Sequence, residues 1–360
     1  MIKKLLRMSR IYFNPEVYYG KGTISCLKSI EYNNFLLLIS NTVKQSDYFK
    51  KIESYLRKKS YKEEIIPRPT QDIVIALREK YLDSKPEVII AIGGGKVIDT
   101  TKCLKFLLNN PHIPVEEMIK KQFSDNNEIK LVAIPTTPST GSEANWVAVI
   151  TDNQGKKIPY INQGFMPDMA VLDPTFLETF SLSSLTVLAS DCFTHAWESM
   201  VSVARSPMLK SIGESCMSLL ESGFSRLRQN PKDIRGISEV QYAGYLGGIL
   251  VGNGFVGACH ALAHALEKQT SIAHSNLILS LIKPVITWSK NQNNNPAYDK
   301  FLKIYDLIGF DEYIKPEVFN NINVDHWIED SLNDPNMMTN PIRMGKENTE
   351  SLINWILNNK

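Results

Sequence analysis

Short, unbroken apolar runs alternate with amphipathic stretches through the first half of this 360-residue chain, and that alternation constrains its fold more than any other feature. Residues 35–40, 88–92 and 131–135 read as buried strands, with a weaker strand at 63–66. Helices are predicted between them, over about 46–58 and 71–82 and opening at Val97. A strand apolar at every position needs cover on both faces, so such strands separated by helices predict a parallel sheet with helices on either side. A hairpin is expected at 146–151 and 156–160, around Asp152-Asn-Gln-Gly155. After Val171-Leu-Asp-Pro174 the texture changes to helical periodicity, over about 182–205, 207–230, 233–250 and 260–268. The expected organisation is an α/β domain over 1–178 followed by an all-helical domain over 179–360.

Charge and composition narrow the function classes. Forty Lys and Arg against 38 Asp and Glu leave a net charge of +2, which gives neither a nucleic-acid-binding tract nor an acidic tail. Residues 1–8 are basic but lack the apolar run of a signal peptide, and no stretch approaches the ~18 apolar residues of a membrane span. Five scattered cysteines, with no C-x-x-C, read as reduced thiols in a cytoplasmic protein. Cys192 and Cys259 adjoin candidate ligands, but neighbours on a helix point elsewhere, so packing is their expected role. The biased tract Asn291–Asn295 reads as a solvated loop.

Four of the six histidines fall between residues 195 and 274. Asp191 and His195 are four apart, as are His260 and His264, and that offset stacks two side chains on one helix face. A carboxylate and an imidazole so placed suit a divalent ion, and His260 and His274 could complete a four-ligand set from two further segments. Hydrogen-bonded structural histidines would give the same residue types.

Two loops suit a nucleotide. Gly93-Gly94-Gly95 follows one strand and precedes a helix carrying Asp99 and Lys102; backbone amides and a helix start there favour phosphate. It is not G-x-G-x-x-G, and a tight turn needing positive φ is the other reading. Pro135 to Glu143 follows the next strand with five hydroxyls, at the strand end where open α/β sheets bind ligands. Capping of a following helix would use the same hydroxyls.

Together these segments resemble the iron-containing, metal-dependent alcohol dehydrogenase family, from about Phe13 to Ile286. Gly93-Gly-Gly-Lys-Val-Ile-Asp99-Thr-Thr-Lys102 is similar to its G-G-G-S-x-x-D-x-x-K loop, and Pro135 to Glu143 to its P-T-T-x-G-T-x-S-E segment. Pro167 to Pro174 matches P-D-x-x-x-x-D-P, Asp191 to Glu198 matches D-A-x-x-H-x-x-E, and His260 to His264 matches H-x-x-x-H. The resemblance implies a Rossmann-like dinucleotide-binding domain followed by a helical metal-binding and substrate domain, the plan shared with dehydroquinate synthase. It implies metal ligands Asp191, His195, His260 and His274, with iron(II) as the ion and Zn²⁺ accepting similar donors. It implies NAD or NADP held by Gly93, Gly94, Gly95, Asp99, Thr136, Thr137 and Thr140, with Lys157 beside the nicotinamide ribose. His264 is expected near the nicotinamide without ligating, relaying a hydroxyl proton.

The chain departs from the family pattern at several points. Lys96 replaces a serine of the glycine loop and can still meet a phosphate as a point charge. Ser139 replaces a glycine, Ser181-Leu182 a proline pair, and Ser190 the glycine before the ligand helix. Asn41 stands where many NAD-preferring members carry an aspartate, so NADP becomes tolerable.

The reaction so implied is metal-assisted hydride transfer between a primary alcohol and an aldehyde. Asp191-Cys192 and Val256 to His260 are more like the branch holding 3-deoxy-octulosonate 8-oxidases and phosphonoacetaldehyde reductases, which suggests an anionic sugar or phosphonate. A simpler alcohol is the broader expectation. Met337 to Arg343 could close over the site with Arg343 as an anion anchor, or Arg343 is simply solvated. Family resemblance also suggests a homodimer, through strands near Ile11–Tyr18.

Two other readings stay open. A dehydroquinate synthase-like lyase would need cations around the metal, yet Arg205, Lys210, Arg226, Arg228, Lys232, Arg235 and Lys268 adjoin no candidate ligand in sequence. A noncatalytic nucleotide- or metal-binding protein would be expected to have lost at least one ligand.

Overall fold

The computed structural model describes residues 11–14, 16–118 and 128–359. The basic stretch 1–8 lies outside the described residues. The chain divides into two compact units, Tyr12–Thr179 and one holding Phe180–Lys360.

In the first unit, strands β1 (Glu16–Tyr19), β2 (Asn34–Ile39), β3 (Ser60–Ile65), β4 (Val88–Gly93), β5 (Lys130–Pro135) and β8 (Met169–Leu172) form one sheet, in the order β1-β8-β5-β4-β2-β3. Every pairing in it is parallel. Helices α1 (Asn41–Lys44), α2 (Asp47–Leu56), α3 (Gln71–Tyr81) and α4 (Gly95–Asn109) connect the strands, and β6 (Val147–Thr151) pairs antiparallel with β7 (Lys157–Ile161) as the expected hairpin. The apolar runs explain this sheet directly. Successive residues of β4 point to opposite faces, so Val88, Ile90 and Ile92 join one core with Phe49, Ile52 and Leu56. Ile89 and Ala91 join the other, with Leu77, Tyr81 and Leu104.

Two local differences from the sequence reading have identifiable causes. The expected helix over 46–58 is present as α2, and a separate short helix, α1, precedes it, because Ser40 and Ser46 each cap a start, accepting from Val43 N and Phe49 N. The weak strand at 63–66 begins earlier, at Ser60, and forms a sheet edge whose Lys62, Glu63 and Glu64 suit exposure. Near the amino terminus, where the resemblance suggests a subunit contact, Glu16–Tyr19 form β1 at the sheet edge, paired with β8.

In the described second unit all regular structure is helical: α5 (Leu182–Val201), α6 (Pro207–Gln229), α7 (Ile234–Gly254), α8 (Ala258–Glu267), α9 (His274–Gln292), α10 (Ala297–Ile308), α11 (Val324–Leu332) and α12 (Lys346–Asn358), with short 3-10 turns. Helix α5 stops at Val201, four residues short of expectation, where Ser202 leaves helical conformation. Helix α9 runs to Gln292, so the asparagine tract starts inside it and becomes loop only at Asn293. Among the described residues no single helix is long and apolar enough to cross a membrane; α7 and α8 together pass that test but are bent by 98°.

Candidate functional site

Two places gather the chemistry. The first lies at the carboxyl ends of β2, β4 and β5. The chain runs from β2 outward to β3, then returns past β2 to β4, so the winding direction reverses between β2 and β4. Such reversals open a crevice at strand ends where α/β sheets bind ligands. Ser40 N donates to Ile92 O at 3.2 Å and Thr136 N to Gly93 O at 3.1 Å, so the loops after all three strands are in register.

The glycine loop is explained by close approach, not by an unusual turn. None of Gly93, Gly94 and Gly95 has positive φ. A Cβ on Gly94 would stand 3.0 Å from Thr137 Oγ1, and one on Gly95 would stand 2.7 Å from Thr140 Oγ1. The bare backbone therefore lets the threonine loop pack against the start of α4, whose first amides are free of side-chain caps and favour anions. Thr136 and Thr137 are half-buried, while Asn41, Lys96 and Thr140 are exposed. The family's missing glycine is Ser139, which is buried. Lys157 is exposed on β7.

Asp99 has a structural task as well. Its Oδ1 accepts from Ser142 Oγ and its Oδ2 from Val149 N at 2.9 Å, tying α4 to the threonine loop and to β6. Behind it the Lys102 ammonium is fully buried and donates to Val147 O at 2.8 Å and Asn145 Oδ1 at 3.1 Å. Burial lowers the Lys102 pKa to about 8 and raises that of Glu143 to about 7.

The second place lies in the helical unit. Ser181 caps α5, and every residue from Ala189 to Val201 is buried. Asp191, His195 and Glu198 recur at i, i+4 and i+7, along one face. Helix α8 repeats that spacing with His260, His264 and Glu267. Its start is held by side chains from elsewhere: Cys259 N donates to Glu198 Oε1 at 2.7 Å and Ala258 N to Asn340 Oδ1 at 3.2 Å. Gly257 precedes α8 because a Cβ there would meet both acceptors, at 2.9 and 3.1 Å. Ser190, which replaces the family's glycine, is buried and donates to Ser275 O at 3.0 Å, fastening the start of α9 and its His274 beside Asp191.

Three imidazoles converge on one oxygen as a result. Asp191 Oδ1 lies 3.3 Å from His195 Nε2, 3.2 Å from His260 Nε2 and 3.6 Å from His274 Nε2. The donors of Asp191, His195 and His260 all lie within 4.8 Å of one another. Ligands about 2.1 Å from a tetrahedral ion stand about 3.4 Å apart, so the observed spacing fits a divalent cation. The outward nitrogens are oriented too: His260 Nδ1 is 2.7 Å from Glu198 Oε2, and His274 Nδ1 is 2.7 Å from Glu267 Oε1. Carboxylates behind ligating imidazoles fix ring orientation and raise donor strength.

Electrostatics point the same way. Burial opposes ionisation of Asp191, but His195, His260 and His274 outweigh it and hold the carboxyl well below its usual range. Burial drives His195 down to about 3, so it presents a neutral lone pair. Burial would lower His260 and His274 as well; Asp191 with Glu198 raises the former, and Asp191 with Glu267 raises the latter to about 10. Buried carboxylates thus demand cations, and a divalent ion would replace imidazolium protons. His264 stands apart from the ligand group, its Nδ1 2.9 Å from Asp334 Oδ2. Burial raises the Asp334 carboxyl, but His264 and the Asn336 amide outweigh it and pull it below its ordinary value.

Cys192 and Cys259 are buried, with burial pushing the Cys259 thiol well up, as packing residues would be. Arg343 is exposed. Glu267 and Asp334 were not singled out from the sequence. Glu267 shares the helix face of His260, a signal that was available; Asp334, seventy residues from His264, gave none.

Comparison with known proteins agrees with this geometry. A family model described as iron-containing alcohol dehydrogenase matches residues 14–174, and one for the carboxyl-terminal region of the Fe-containing alcohol dehydrogenase family matches 187–343. The NADPH-dependent butanol dehydrogenase of Clostridium saccharobutylicum is 26% identical over 311 residues, 84% of this chain and 79% of that protein. The bifunctional aldehyde-alcohol dehydrogenase AdhE of Escherichia coli (strain K12) is 31% identical over 255 residues, 68% of this chain and 28% of AdhE. The solved iron-containing alcohol dehydrogenase from Thermococcus thioreducens shares the fold, with a TM-score of 0.85 at 21% identity over 98% of this chain and 100% of that one. With both units matched in order, the chain belongs to the iron-containing alcohol dehydrogenase family and is an oxidoreductase of the alcohol dehydrogenase type.

Proposed function

We propose that the protein interconverts a primary alcohol and its aldehyde, using NAD(P) and a divalent metal, with iron(II) the first choice and Zn²⁺ able to substitute. The observation that carries this reading is the convergence of three imidazole Nε2 atoms on one oxygen of Asp191, at 3.2–3.6 Å. Asp191, His195, His260 and His274 would hold the ion, and Glu198 and Glu267 would orient two of them. When bound, the ion supplies a Lewis acid for the substrate oxygen and the nicotinamide supplies or accepts hydride.

In the α/β unit, the amides of Gly94 and Gly95, with Thr136, Thr137 and Thr140, would receive the pyrophosphate. Lys96 is exposed and free to add a charge there. Asn41, exposed just beyond β2, places no carboxylate against a 2′-phosphate, which supports use of NADP; the NADPH dependence of the butanol dehydrogenase relative supports it too. His264 would relay the hydroxyl proton. The residues 1–178 thus serve the dinucleotide, and 179–360 the metal and substrate.

Relatives named for butanol and 1-propanol support an uncharged short alcohol over an anionic sugar or phosphonate. Lys268, closest in sequence to the ligand helix, spends its ammonium on Asp330 at 2.5 Å. The deciding experiment is an aldehyde panel with NADH and NADPH on iron-loaded, zinc-loaded and chelated protein. It includes butanal, propanal, phosphonoacetaldehyde and a 3-deoxy-octulosonate-like sugar. Metal-dependent oxidation of NADPH with the short aldehydes is expected; turnover of the anionic compounds alone would reverse the substrate choice, and silence across the panel would defeat the reading.

A further inference from the structure

His264 lies one turn beyond His260, its ring stacked on His274 with centroids 5.5 Å apart and planes at 24°. Its side chain is 38% exposed, so one edge of the imidazole is open. The other edge is not. Nδ1 faces Asp334 Oδ2 at 2.9 Å, and that carboxylate is itself fixed, its Oδ1 accepting from Asn336 N at 2.8 Å. Asp334 also caps the 3-10 turn Pro335–Met338, and its side chain is 13% exposed. Nε2 has no hydrogen-bond partner among the described residues.

From this geometry we propose that Asp334 is the positioning residue of the proton relay: it fixes His264 as the Nδ1–H tautomer and keeps the lone pair on Nε2. This rests on the reading of His264 as the relay. An ionised carboxylate only accepts, so the neutral imidazole beside it must carry its proton on Nδ1. In alcohol oxidation the substrate O–H proton passes to the Nε2 lone pair, directly or through an intervening hydroxyl or water. The resulting imidazolium keeps its Nδ1–H on Asp334 and afterwards gives the Nε2 proton to solvent. In aldehyde reduction the same proton moves the other way. Without Asp334 both tautomers compete and the ring is free to turn.

The test is Asp334→Asn. Asparagine caps a helical turn as well as aspartate does, so the turn should persist. Its amide can donate to Nδ1, however, and select the wrong tautomer, as happens when the aspartate of a catalytic triad becomes asparagine. Long-range ¹H–¹⁵N spectra of ¹⁵N-histidine-labelled, zinc-loaded protein read the tautomer, with His264→Ala assigning the signal. We expect Nδ1–H in the native protein and Nε2–H or a mixture in Asp334→Asn. Metal content should be unchanged, KM little altered and kcat roughly 10²-fold lower. Asp334→Glu should restore part of the rate. An unchanged tautomer and kcat in Asp334→Asn would overturn the proposal. A normal rate in His264→Ala would instead defeat the relay, and the tautomer spectra would still decide what Asp334 does.

Discussion

Asp191 is the residue on which the metal reading turns, because one of its oxygens meets three imidazoles that come from α5, α8 and α9. Removing one imidazole leaves an incomplete donor set around a buried charge, so His260→Ala should lose metal and turnover together, measured by metal analysis of the purified protein alongside activity. Glu198→Gln is the subtler change. It keeps the volume of a side chain that receives both His260 Nδ1 and Cys259 N, but the amide can satisfy only one of them as an acceptor. Metal affinity should fall ~10–100-fold in a competition titration with a chelator. Unchanged affinity in Glu198→Gln would mean that the carboxylate serves only the start of α8.

At the scale of elements, the proposed dinucleotide site centres on the strand–loop–helix segment β4–Gly94–α4. Gly95→Ala introduces a Cβ 2.7 Å from Thr140 Oγ1 and must push the threonine loop away. The same change favours helix, since alanine is the better helix former by up to ~1 kcal/mol. The thermal midpoint should therefore hold or rise while NADPH affinity falls by about tenfold, a loss of about 1.4 kcal/mol. Calorimetric titration separates the two, and unaltered affinity would show that the spacing of these loops is not used by the ligand. On α5 and α8 the i, i+4, i+7 spacing was readable as a helix face from the sequence. The joining of those faces, and of α9 to them, was not, because it depends on Glu198 holding the first turn of α8, on Gly257 leaving room for that contact, and on Ser190 reaching Ser275 at the start of α9.

Over the whole molecule, the α/β unit carries its own buried electrostatic lock. Asp168, just before β8, sits between Lys105 of α4 at 2.7 Å and Lys130 of β5 at 3.2 Å, and also accepts from Leu131 N. Burial opposes its charge, but the two ammonium groups and the amide win and hold its carboxyl below the usual value. A depressed carboxyl adds stability above its unfolded pKa near ~3.9, and that stability drains away as pH falls through the lower folded value. Asp168→Asn strands the almost fully buried Lys105 and should cost about 3 kcal/mol at neutral pH by urea unfolding. The deficit should shrink toward pH 3; a deficit that stays constant would assign it to packing. The sequence by itself determined the parallel sheet and the helical second half, and it supplied the candidate ligands, because periodicity and residue chemistry are local properties. Only the tertiary structure decided that Asp334 meets His264, that Glu267 backs His274, and that glycines 93–95 serve close packing rather than an unusual turn. The first and last depend on segments distant in the chain arriving within a few ångströms, and the second on how the short link between α8 and α9 turns, which no helix periodicity encodes.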